Sequence, residues 1–158
     1  MNNWLTTNKF RTVVASTPLI SIDLIVTNTT NQILLGQRVN RPAQDYWFVP
    51  GGRVLKNETL DEAFKRLTSN ELGVTYHRQE ARFLGIYEHF YQDSVFGDSP
   101  NDPSTHYIVM GYQLTLSNSL ELSLPTQQHT DYQWWTLDAA KSDPSVHQHT
   151  QAYLPAIK

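Results

Sequence analysis

The sequence predicts an α+β fold, a mixed β-sheet with a helix packed on it, from three observations. Several short runs rich in β-branched and aromatic residues are separated by polar or Gly/Pro-containing turns. Only one long segment has helical periodicity with both ends marked. Strands and helices do not alternate regularly, which argues against a wholly parallel α/β sheet.

Along the chain, Phe10, Val13 and Val14 fall at helical spacing, so residues 6–15 are expected to form a short helix that stops before Pro18. Leu19 to Val26 reads as a buried strand interrupted only by Ser21 and Asp23. Thr27–Gln32 is a polar turn and Ile33–Arg38 its hairpin partner. Arg41–Asp45 is loop, Tyr46–Val49 a short strand, and Pro50-Gly51-Gly52 a tight break. The clearest helix runs from about Leu60 to Leu72. Thr59 and Glu62 match a capping box, and Gly73 stands where a left-handed terminating glycine belongs. Arg82–Tyr91 and His106–Leu116 are alternating strands flanking the polar loop 92–105. A second polar loop, 117–131, precedes strand Tyr132–Thr136, and one or two short helices finish the chain.

Length and composition bound the function. The 158 residues suit one domain, 1–158, and the 39% hydrophobic and 17% charged shares are ordinary for a globular chain. A net charge of −3 and the lack of a basic run argue against nucleic acid as partner. With no cysteine, disulfides, thiolate metal sites and cysteine nucleophiles are excluded. No apolar run approaches the roughly 20 residues that span a bilayer, and no signal-like apolar segment opens the sequence. The cytoplasm, with no membrane partner, is the expected location.

One charge is in the wrong place. At 100° per residue, Phe64, Leu67 and Glu71 all lie within about 40° of the direction of Leu60. Glu71 thus sits on the apolar stripe and in the last turn, where the helix dipole disfavours an anion. Either that turn frays into water or a cation or arginine faces the carboxylate. Arg66 lies at about 240° and points away, so a metal fits better. Asp23, on an otherwise apolar strand, is also costly without a partner.

These features fall into a known pattern. Gly52-x5-Glu58-x7-Arg66-Leu67-Thr68-x-Asn70-Glu71-x-Gly73-Val74 resembles the Nudix box, G-x5-E-x7-R-E-U-x-E-E-x-G-U. That resemblance implies a Nudix fold, a mixed sheet sandwiched by helices whose loop–helix–loop motif holds divalent metal against a diphosphate. Leu67 and Asn70 depart from the pattern where the family usually has glutamates, leaving Glu71 as the metal-binding carboxylate of that trio. The segments STPLISIDLIV, RVNRPAQDYWFVPGGRVLKNETLDEAFKRLT, THYIVMGY and LPTQQHTDYQWW are similar to the GDP-mannose mannosyl hydrolase branch.

Residue roles follow from that resemblance. Metal ligands would be the Gly51 carbonyl, the Glu71 carboxylate and the Gln128 side-chain carbonyl. Such a set suits one magnesium ion, with manganese as a substitute. Arg38, Arg53 and Arg66 carry over as diphosphate contacts, Arg66 having an equal alternative as a structural partner of Glu58. His129 is the expected general base, since an imidazole accepts a proton near neutral pH. Asp23, His89 and Tyr107 match positions near the sugar or phosphates. A buried structural hydrogen bond is an equal alternative for Asp23, and core packing is the favoured alternative for Tyr107. Trp4, Leu5 and Phe10 fall where the branch helps bind the nucleotide, within one subunit or across a dimer interface, or else dock a terminal helix. A homodimer is implied by the resemblance alone.

The expected reaction is hydrolysis of GDP-mannose or GDP-glucose to GDP and free sugar, by attack of water at the anomeric carbon with inversion. Ordinary attack at phosphorus, giving a nucleoside monophosphate and a sugar phosphate, is one alternative. A non-catalytic nucleotide-sugar-binding module is the other.

Overall fold

The structure is a computed structural model and describes residues 4–117 and 129–158. Its elements are α1 (Thr7–Ser16), β1 (Leu19–Thr27), β2 (Gln32–Arg38), β3 (Trp47–Phe48), β4 (Gly51–Arg53), α2 (Leu60–Leu72), β5 (Arg82–Tyr91), β6 (Thr105–Thr115), β7 (His129–Thr136), α3 (Leu137–Ser142) and α4 (Gln148–Gln151). Single 3₁₀ turns at Arg78–Glu80 and Leu154–Ala156 were not foreseen from the sequence.

The described residues build one seven-stranded mixed sheet, ordered β3-β2-β1-β6-β5, with β4 added to β1 and β7 to β2. β1 runs parallel to β6 over its whole length, from Leu19↔Tyr107 to Thr27↔Thr115, and the remaining pairs are antiparallel. The expected hairpin of β1 and β2 closes only at its base, Thr27↔Ile33. Beyond that point β2 leaves β1 and pairs with β3 through Gly36↔Phe48 and Gln37↔Trp47, while β7 pairs with β2 from Gln32 to Arg38.

The edge of β1 that β2 leaves open is taken by β4. Gly51 and Gly52 therefore do not form the tight break read from Pro50-Gly51-Gly52; they extend as a strand in register with Asp23 and Ile22. The glycines are needed for close approach. A Cβ on Gly51 would stand 2.5 Å from the Ile22 carbonyl oxygen and 2.6 Å from Asp23 Oδ1, and one on Gly52 would stand 2.5 Å from Leu67 Cδ2.

Alternation along β1 feeds two cores, one on each face of the sheet. Ile22, Leu24 and Val26 pack with Leu34 against Ala63, Phe64, Leu67 and Leu72 of α2. Ile25 packs on the other face with Ile33, Leu35, Phe48, Val49, Ala140, Val146 and Tyr153. Each fully buried large apolar side chain contributes about 2 kcal/mol, so the stripe of α2 fixes that helix's rotation. The helix is bounded as the sequence predicts. The Thr59 hydroxyl accepts from the Glu62 amide (3.1 Å), the Glu62 carboxylate accepts from the Thr59 amide (2.8 Å), and Gly73 is left-handed at φ 74°. No helix of the described residues is long and apolar enough to cross a membrane.

Thr59→Ala removes half of the capping box, and we expect it to lower stability by about 1 kcal/mol. Urea unfolding checks this: the midpoint falls with an unchanged slope. An unmoved midpoint would mean that packing alone holds the start of α2.

Candidate active site

The rotation of α2 that buries Phe64 and Leu67 also buries Glu71, which is 6% exposed. The last turn does not fray. Glu71 lines a cavity of about 490 Å³ walled by β1, β4, β5, β6, the end of β2 and the N-terminal helix. Burial pushes its pKa up to about 7, against the opposing pull of the Arg38 and Arg66 charges. Among the described residues no side chain bonds or ion-pairs with it. Leu67, one turn earlier, lies 3% exposed under Gly52, so a charged side chain there would have to displace packed core.

Arg66 is committed elsewhere. Its Nε and Nη2 donate to the two carboxylate oxygens of Glu58 (2.6 and 3.0 Å), and Nη2 also donates to the Arg53 carbonyl (2.7 Å). The Arg66 hydrogen bonds hold the Glu58 carboxyl below its usual range. Of its two expected roles, the structure displays the structural link to Glu58, although Arg66 also lines the cavity.

Arg53, which follows the two glycines of β4, has its guanidinium 4.0 Å from the ring centre of Phe10 and 5.3 Å from that of Trp4. The N-terminal aromatics therefore reach the cavity by stacking on an arginine. Leu5 is 46% exposed and stands outside the cavity lining. Leu5 precedes the Thr6 cap, so the periodicity that turns Phe10 inward does not extend to it. Arg38, the last residue of β2, donates from Nε to the Pro42 carbonyl (2.9 Å) and also lines the cavity.

Asp23 and His89 form a second polar group. Asp23 is 7% exposed, and burial pushes its carboxyl up to about 7 against the opposing effects of the Tyr153 hydrogen bond and the Arg38 charge. The Tyr153 hydroxyl donates to Asp23 Oδ2 at 2.6 Å and lies 3.4 Å from His89 Nε2. The His89 ring stacks on that of His149 at 4.2 Å. Its pKa falls to about 3, first through burial and then through the neighbouring His149 and His147, so it stays neutral near pH 7. Tyr107 pairs across the sheet with His89 and lines the cavity; it belongs to neither core cluster, contrary to the reading that favoured core packing.

The structure thus brings Trp4, Phe10, Asp23, Arg38, Gly51, Arg53, Arg66, Glu71, His89 and Tyr107 to one cavity. The backbone of His129 pairs with that of Arg38 at the start of β7. The side chain of His129 and all of Gln128 lie outside the described residues. Sequence reading missed Tyr153, His147 and His149, which no local spacing ties to Asp23 or His89. The only clue was negative: a buried Asp23 had to have a partner.

Comparison with known proteins agrees with the geometry. The model of the NUDIX domain matches residues 17–156. The low-salt glycan biosynthesis protein Agl8 of Haloferax volcanii is 42% identical over 120 residues, covering 76% of this chain and 72% of that protein. Among solved structures, the MutT NUDIX hydrolase of Burkholderia pseudomallei superposes with a TM-score of 0.69 at 23% identity, covering 90% of this chain and 100% of the other. The NUDIX domain of Shewanella oneidensis NrtR, complexed with ADP ribose, does so with 0.65 at 16% identity and 96% coverage of both. The chain belongs to the Nudix family.

A divalent cation suits this site. Glu71 offers a buried carboxylate with no described partner, in a cavity also lined by Gly51. Among the described residues no three His, Asp or Glu side chains are grouped to hold a metal. A cation at Glu71 would therefore draw on carbonyl, amide, water or phosphate oxygens, as magnesium commonly does.

Glu71→Gln keeps the shape of the side chain and removes a desolvated charge. In chelator at neutral pH we expect its thermal midpoint to equal or exceed the wild-type value, while magnesium-dependent activity is lost. A lower midpoint in chelator would show that the carboxylate has a stabilising partner.

Proposed function

We propose that the chain hydrolyses a nucleoside diphosphate sugar, GDP-mannose or GDP-glucose, to the nucleoside diphosphate and free sugar. The observation that carries the reading is the reduced box: Glu71 lines the cavity, Leu67 is packed in the core, and Asn70 stands where a second carboxylate is usual. Attack at phosphorus relies on a cluster of carboxylates and several metals; departure of an intact diphosphate asks chiefly for positive charge. Arg38 and Arg53 supply such charge beside Glu71. The kinship with a glycan biosynthesis protein supports a sugar nucleotide as substrate, as does the ADP ribose carried by the NrtR domain of the same fold.

In this reading His129 takes a proton from water, whose oxygen attacks the anomeric carbon. The carbon–oxygen bond to the diphosphate breaks, and the configuration inverts, as in single-displacement glycosidases. Arg38 and Arg53 hold the departing diphosphate oxygens. Trp4 and Phe10 keep Arg53 in place from the nucleotide side. Glu71, the Gly51 carbonyl and Gln128 would hold magnesium, which would supply positive charge that lowers the cost of releasing the diphosphate. The protein is taken to act in the cytoplasm, as one domain and as a homodimer.

Hydrolysis of GDP-mannose in ¹⁸O-labelled water with magnesium tests the reading. Label in free mannose with unlabelled GDP is expected. Label in a phosphate product would establish ordinary pyrophosphatase chemistry, and absence of turnover a binding module. His129→Gln should lower turnover about a hundredfold; wild-type turnover in that variant would remove His129 from the mechanism.

A further inference from the structure

We propose that Tyr153 is a positioning residue of the site, holding the polar pair Asp23 and His89 for the sugar of the substrate; the assignment rests on the nucleotide-sugar reading above. Tyr153 is fully buried and belongs to the core on the α3/α4 face, yet its hydroxyl meets two residues that line the cavity. It donates to Asp23 Oδ2 at 2.6 Å and lies 3.4 Å from His89 Nε2. No described group donates to Asp23 Oδ1. One carboxylate oxygen is thus tied down, and the other is left as an acceptor beside the cavity, suited to an uncharged hydroxyl of a sugar.

The sheet is built to admit this tyrosine. Gly111 of β6 stands in register with Asp23. A Cβ on Gly111 would come within 3.0 Å of Tyr153 Cε1 and 3.3 Å of Tyr87 Cε2. The Tyr87 ring packs edge-on against Tyr153 at 4.5 Å. The missing side chain at Gly111 therefore makes room for the Tyr153 ring next to Asp23. His149, four residues before Tyr153, stacks on the far partner, His89. The C-terminal segment thus braces both polar residues, whereas among the described residues no hydrogen bond or ion pair joins Glu71 or the Arg53 and Arg38 side chains to it. A group so placed acts on the sugar and not on the diphosphate.

A double-mutant cycle tests this. Turnover of GDP-mannose with magnesium is measured for the wild type, Tyr153→Phe, Asp23→Ala and the double variant, together with the affinity of each for GDP. Tyr153→Phe keeps the ring and is expected to lower kcat/KM at least tenfold, mostly in kcat. In the Asp23→Ala background the same change should cost less than twofold, because the partner through which it acts is gone. Affinity for GDP, which lacks the sugar, should stay within twofold of wild type. Equal losses in both backgrounds, wild-type turnover of Tyr153→Phe, or a matching loss of GDP affinity would each overturn the assignment. Failure of the two readings is separable. Cleavage at phosphorus with the coupling intact sinks the sugar-side chemistry alone, and cleavage at the sugar carbon with additive losses sinks Tyr153 alone.

Discussion

The site depends on the fork between Arg66, Glu58 and the Arg53 carbonyl. β4, the loop after it and α2 are joined covalently only in sequence order, and apolar packing would hold them near one another without fixing direction. Three directed hydrogen bonds from one guanidinium do fix it: two reach Glu58 in the loop, and one reaches back to the last residue of β4. Glu58 is tied further by accepting from the Leu55 amide at 2.9 Å. Since Gly51 and Arg53 lie on β4 and Glu71 on α2, this fork sets how the two sides of the site face each other. Arg66 spends its own charge largely on Glu58, and in the proposed reaction Arg38 and Arg53 supply the remaining positive charge.

Around that frame the fold tolerates two expensive carboxylates. Asp23 and Glu71 are both buried, and in both, desolvation outweighs the pull of nearby arginines. The compensation differs. Asp23 has a hydrogen-bond donor from the core, while Glu71 has none among the described residues. A protein selected for stability alone would have an apolar or amide side chain at Glu71. The conflict between the stripe of α2 and the charge on it is the mark of a ligand-dependent position.

That conflict is also why part of the site was legible in the sequence. α2 was readable to the residue, because Thr59, Glu62 and Gly73 act locally and the packing agrees with them. Glu71 and Asp23 stood out as charges on apolar faces, a mismatch that needs no tertiary information. Where the reading went astray, the cause was non-local. Pro50-Gly51-Gly52 has the composition of a turn and becomes a strand only because β2 departs from β1 and leaves an edge to be filled. Tyr153 was invisible because its partner lies 130 residues away. Spacing can show that a buried carboxylate needs a donor; it cannot say which residue supplies one.

The division of charge within the cavity bears on what it can hold. Arg38 and Arg53 carry full charges beside a carboxylate suited to a cation. Asp23 is tied to a phenol, and the histidine next to it is held neutral by burial and by the neighbouring His149 and His147. A fully ionic ligand would satisfy the first group and leave the second with unmet hydrogen bonds, each costing about 1–3 kcal/mol when water is excluded. A neutral polyol alone would offer Arg38 and Arg53 no anionic group to bind. Joining a diphosphate to a sugar meets both demands at once. These groups support the proposed nucleotide sugar over a nucleoside triphosphate, whose extra phosphate would in that pose meet Asp23 and a neutral histidine where it needs positive charge.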